Sequence, residues 1–115
     1  MEHKNIIPAT YAEYAAENNF GEAELGDKTA EKYYNKLAVL INQFTLIDPG
    51  KMEQSIKDDV IAFDMTELME LYVNKNCVEK AVADELIALF DNEIFPLGAE
   101  YGFLWDIVIE TFLQI

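Results

Sequence analysis

Paired carboxylates are the groups in this chain whose spacing comes nearest to chemistry. Glu67 and Glu70 stand three residues apart, on one face of a helix, and Asp58-Asp59 and Asp84-Glu85 are adjacent. Two carboxyls can cleave a glycosidic bond when a cleft raises the pKa of one, so that it donates a proton while the other stays ionised. With 22 acidic side chains in 115 residues, however, such pairs arise by chance. The other reactive groups are sparse. His3 is the only histidine, Cys77 the only cysteine and Ser55 the only serine, and there is no arginine. A nucleophile needs a nearby base and a third group to orient that base. His3 sits in a leading segment, and Cys77 has no histidine near it in sequence. A single cysteine packs as a small hydrophobe more often than it reacts, and it cannot form an internal disulfide. No catalytic residue is expected.

Metal and cofactor chemistry lack their patterns as well. A carboxylate-bridged di-iron bundle uses Glu-x-x-His pairs, a calcium loop needs its central glycine, and a phosphate loop gathers glycines. None of these occurs, the five glycines being scattered at turns. The expectation is a non-enzymatic protein without metal or cofactor.

Charge narrows the partners. Eight lysines face 22 acids, a formal net charge of -14 spread along the whole chain. Phosphate binding gains most of its affinity from lysine and arginine displacing counterions, so nucleic acid is a poor direct partner. The acids read either as solvated helix faces or as a surface that meets a basic protein, such as a nucleic-acid-binding enzyme blocked by a mimic of phosphate charge. No apolar run approaches the roughly 20 residues that span a bilayer, and no cationic start precedes a small-residue cleavage site. A soluble protein is expected, consistent with a reducing cytoplasm.

The elements that would position these groups are helical. Residues 1–9 carry no periodicity, and Pro8 disfavours a helical residue before it, which makes them a flexible arm. From residue 10 to 115 a single all-α domain is expected: a compact bundle of about five helices with an acidic surface. Thr10-Tyr11-Ala12-Glu13 has the capping-box pattern that opens the first helix, and Asn18-Asn19-Phe20-Gly21 closes it. Asp27 caps a second helix over about 28–44, with Tyr34, Leu37, Ile41 and Phe44 as its buried stripe. Lys28, Lys32 and Lys36 fall four apart on that helix and form the one concentrated cationic row.

After the turn at Ile47-Asp48-Pro49-Gly50, a third, central helix is expected over about 51–72. Its apolar positions, Met52, Ile56, Val60, Phe63, Leu68, Leu71 and Tyr72, drift around more than one face. Asn74-Lys75-Asn76 supplies a break, and a fourth helix follows over about 78–95 until Pro96 to Gly98 end it. The stretch 101–115 is rich in aromatic and β-branched residues that also suit a strand. Asp106, Glu110 and Gln114 lie four apart, which favours a helix with one narrow polar stripe, since strand alternation fails at Leu104 to Ile109. A terminal helix that is apolar around most of its circumference must be enclosed by its own domain or by another chain. Phe103, Trp105, Ile109 and Phe112 are accordingly candidate partner-binding residues, together with Asp58 and Asp59.

The sequence also resembles a known family. Thr10-Tyr11-Ala12-Glu13-Tyr14, then Leu37-Ala38-Val39-Leu40-Ile41-Asn42-Gln43-Phe44-Thr45, the turn at Ile47-Asp48-Pro49, and Ile56-Lys57-Asp58-Asp59-Val60 opening a helix with Ala62 and Glu67, are similar to the head-to-tail connector, or head-completion, proteins of tailed phages. The likeness covers roughly residues 10–72 and consists mostly of apolar spacing. It implies a structural adaptor that self-assembles into a ring, docks on a portal protein and has no catalytic residues, placing the chain in a virion or a bacterial host cytoplasm. The alternative is an acidic inhibitor or immunity-type protein that occupies a basic site on a partner enzyme.

Overall fold

The computed structural model describes residues 5–62 and 64–113, apart from the Pro49 side chain, so His3, Phe63 and Gln114 lie outside the described residues. These residues are helical and contain no strand. Seven α-helices replace the five expected: α1 (Tyr11–Glu17), α2 (Glu22–Leu25), α3 (Lys28–Ile41), α4 (Gln54–Ile61), α5 (Thr66–Asn74), α6 (Lys80–Leu89) and α7 (Phe103–Val108). The chain divides into two compact units, 1–42 and 43–115.

In the first unit, α1 starts where its cap directs. Thr10 Oγ1 accepts the Glu13 N–H at 3.3 Å, and the helix ends as Asn19 turns left-handed, with φ 56°. Asp27 caps α3 by accepting the Thr29 and Ala30 N–H groups at 3.1 and 3.0 Å. Aromatic packing ties α1 to α3, Tyr34 stacking on Tyr14 at 4.8 Å between centroids and lying 5.9 Å from Tyr11. The Tyr34 hydroxyl donates to the Pro8 carbonyl at 2.7 Å. Burial, followed by the charges of Tyr14, Glu17 and Glu13, pushes the Tyr34 phenol pKa up, so it stays a neutral donor at all physiological pH values.

The second helix is shorter than its sequence pattern implies, ending at Ile41 rather than Phe44. Asn42 accounts for the early stop, because its side chain is committed elsewhere. Its Oδ1 accepts the N–H groups of Ile6 and Ile7 at 2.7 and 2.9 Å, and its Nδ2 donates to the Ile7 carbonyl at 3.1 Å. The described part of the leading segment is thus hydrogen-bonded to the end of α3.

In the second unit, the expected central helix is two helices, α4 and α5. The Asp64 N–H reaches back to the Asp59 carbonyl at 2.8 Å, and the Asp64 carboxylate accepts the Thr66 N–H at 3.0 Å, so one helix closes and the next opens around Asp64. The drift of the apolar positions is explained by this break, since Val60 is buried from α4 and Leu68, Met69 and Tyr72 from α5. Phe44, Tyr72 and Phe112 form an aromatic trio, with centroids 4.9 to 5.5 Å apart. The Tyr72 hydroxyl accepts the Ile47 N–H at 3.3 Å. Asn76, with φ 58°, makes the expected break after α5.

Beyond α6 the backbone widens. A π turn at Phe90–Ile94, with the Phe95 N–H bonded to the Phe90 carbonyl, leads into a 3-10 turn at Phe95–Leu97. The terminal segment is helix and not strand: α7 continues into a second π turn at Ile109–Leu113.

Candidate functional site

The terminal aromatic residues proposed as a partner surface turn inward. Trp105 is 3% exposed and packs edge-on against Phe90 and Phe95 at 5.3 and 5.5 Å. Phe112 is 1% exposed in the trio with Phe44 and Tyr72. Both rings lie in the interior, so of the two enclosures the sequence left open for these residues, the chain's own packing supplies this one. Phe103 and Ile109 remain half-buried, beside the exposed carboxylates of Asp106 and Glu110. Those acids stand where the sequence placed its polar stripe.

Asp58 and Asp59 sit on α4 but do not act together. Asp58 is exposed and accepts from Gln54 Nε2 at 2.9 Å. Asp59 instead faces Glu67 across the α4–α5 break. A side-chain hydrogen bond with Asp59 and the Asp59 charge raise the Glu67 carboxyl above its ordinary pKa, with smaller contributions from desolvation, Asp64 and Glu70. Of the sequence pairs, Glu67–Glu70 is therefore drawn into a crowd of four carboxylates. It lies in the open rather than in a cleft, so the pairing lacks the enclosure that a catalytic acid requires. No group of three or more His, Cys, Asp or Glu among the described residues is placed to hold a metal ion.

The lysine row of α3 is built as its spacing demands. Lys28 makes only a long contact with Glu31, 3.8 Å between exposed side chains. The ammonium groups of Lys32 and Lys36 flank a single ring, that of Tyr33, at 5.1 and 5.5 Å from its centroid. One turn beyond Lys36, on the same side of the helix, stands Val39, 64% exposed, the most exposed of the large hydrophobic residues described. Eleven residues separate it from Lys28, which at 3.6 residues per turn returns it to within about 20° of that lysine. Sequence reasoning counted Val39 only as part of an apolar run. Its position in the lysine phase was the available signal.

Three hollows lie among the described residues. A groove of about 330 Å³ between α5 and α6 has Met69, Val73, Ala83 and Ile87 in its lining, and a Lys80–Asp84 ion pair of 2.7 Å lies beside it. A second, also about 330 Å³, is edged by Phe95, Tyr101 and Trp105. The third, of about 570 Å³, includes Cys77, whose carbonyl accepts the Thr45 N–H at 2.8 Å. None gathers a nucleophile, a base and an orienting group. No helix among the described residues is long and apolar enough to cross a membrane.

Comparisons with protein families, with curated proteins and with solved structures found no match to this chain.

Proposed function

We propose that this chain is a non-enzymatic structural adaptor of a tailed phage, working through protein–protein contacts between portal and tail. One observation carries the reading: Lys28, Lys32 and Lys36 make an exposed cationic row on α3, and an exposed apolar side chain, Val39, stands one turn beyond its end. On a chain with a net charge of -14, a cationic row bordered by exposed apolar surface suits contact with an acidic protein face. The order of helices and turns over about 10–72 that resembles connector proteins supports the same reading. The partners are a portal protein and neighbouring copies of the chain, in a virion or the host cytoplasm.

The experiment is to mix the purified chain with the portal protein of the same genome, measure the mass of the product in solution and image it by negative stain. A ring seated on the portal is the expected result. A chain that stays monomeric at high concentration, with and without portal, overturns the proposal.

A second reading is favoured by the crowding of Asp59, Asp64, Glu67 and Glu70, which an approaching cationic surface relieves: an acidic inhibitor of a basic enzyme. Complex formation with such an enzyme then weakens steeply with added salt, because exposed charge pairs are screened.

A further inference from the structure

The adaptor reading leaves open which faces of the chain meet, and two exposed rows of opposite charge, each with an apolar neighbour, fit one another. Lys28, Lys32 and Lys36 lie four apart on α3, exposed, with exposed Val39 one turn beyond Lys36. On the terminal helix Asp106 and Glu110 are also four apart and exposed, and half-buried Phe103 precedes them by one turn. No lysine follows Lys80, so the last 35 residues carry seven acids and no cation. Resting on the adaptor reading, we propose that the Lys28–Lys32–Lys36 row of one copy takes the Asp106–Glu110 face of a second copy, with Val39 meeting the apolar flank at Phe103.

Charge fixes the geometry of this contact. Two α3 rows facing each other would set lysine against lysine, and two terminal helices would set carboxylate against carboxylate. A two-fold contact through either face alone is therefore repulsive. What survives is the pairing of unlike faces, either reciprocally across a two-fold axis or head-to-tail, which closes into a ring or continues as an open chain according to its rotation. Copies that each carry a net charge of -14 repel at long range. At physiological ionic strength that repulsion is screened beyond about 8 Å, so the local match between the two rows decides where contact is made.

The test uses the full chain and two charge swaps, Lys32→Glu with Lys36→Glu, and Asp106→Lys with Glu110→Lys. Self-association is measured by sedimentation velocity over a concentration series at physiological salt, and circular dichroism checks each fold. The natural chain is expected to associate, and each swap alone to weaken association at least tenfold. An equal mixture of the two swaps restores it, because each supplies the charge that the other has inverted. The neutral variants, Lys32→Gln with Lys36→Gln and Asp106→Asn with Glu110→Gln, lose association without recovering on mixing, and they carry the test if a swap fails to fold. Association that is indifferent to both changes overturns this contact and leaves portal binding standing. A monomeric natural chain overturns the contact outright. Swap-sensitive association without portal binding supports the contact and removes the adaptor.

Discussion

Asn42 grips Ile7 from both sides of its peptide: Oδ1 accepts the Ile7 N–H at 2.9 Å while Nδ2 donates to the Ile7 carbonyl at 3.1 Å. A side-chain amide carries both a donor and an acceptor, and so answers the N–H and the carbonyl of one residue together. Asn42→Ala removes three hydrogen bonds, including that from Ile6, and is expected to cost about 1–3 kcal/mol. Asn42→Asp keeps both acceptor bonds but loses the donor and sets a carboxylate near the Ile7 carbonyl. It should be weaker than the natural chain in a urea titration, and hydrogen exchange at Ile6 and Ile7 should accelerate in both variants.

The trio of Phe44, Tyr72 and Phe112 separates packing from hydrogen bonding. Phe112→Ala opens a cavity at a fully buried site and should cost about 3–5 kcal/mol. Tyr72→Phe retains the ring and removes only the acceptor for the Ile47 N–H, for about 1 kcal/mol. Thermal melts monitored by near-ultraviolet circular dichroism give both numbers. Equal losses would show that the hydroxyl, rather than the ring, secures this core.

Glu67 confers a pH dependence of definite sign. Because Asp59 raises its pKa in the folded chain, Glu67 binds its proton more tightly folded than unfolded. Stability is therefore gained as pH falls through the carboxylate range and lost as it rises. Glu67→Gln should melt above the natural chain at pH 7, and the difference should shrink below about pH 4.5, where the carboxyl is protonated in either state. A constant difference across that range would contradict the Asp59–Glu67 coupling.

Gly98 holds φ at 98° with nothing within 4 Å of where a Cβ would sit. Substitution there meets backbone strain alone, without a clash. Gly98→Ala should cost about 1–3 kcal/mol, and Gly98→Asn as much, since ψ at -175° puts this residue in the region open only to glycine rather than in the left-handed helical one that asparagine tolerates. Chemical denaturation of the two variants makes the comparison.

Helix starts were legible in the sequence because caps act locally. Thr10 and Asp27 bond to amides two or three residues ahead, so a short window contains both donor and acceptor. The break at Asp64 was not legible, because the apolar residues on either side of it continue a plausible helical pattern. Only the bonds from Asp64 to Asp59 and Thr66 show that two helices are folded back to share it. The inward turn of Trp105 and Phe112 was hidden for a related reason. Composition reports how apolar a helix is, and only tertiary packing decides whether its own unit encloses it. The lysine row was visible from spacing, but the meaning of Val39 beside it required knowing its exposure.

The π turn at Phe90–Ile94 has a consequence for tolerance to deletion. A helical turn closed from residue 90 to 95 contains one more residue than an α turn, so it behaves as an inserted position absorbed without breaking the helix. Asp91 and Asn92 are both exposed within it. Deleting either one lets the loop of backbone tighten to the ordinary α spacing, with the surplus residue gone and the side chains on each side still in phase. The same deletion inside α6 would rotate everything downstream by about 100° and take Phe90 and Ile94 off the core. This chain therefore carries a spare residue in that turn.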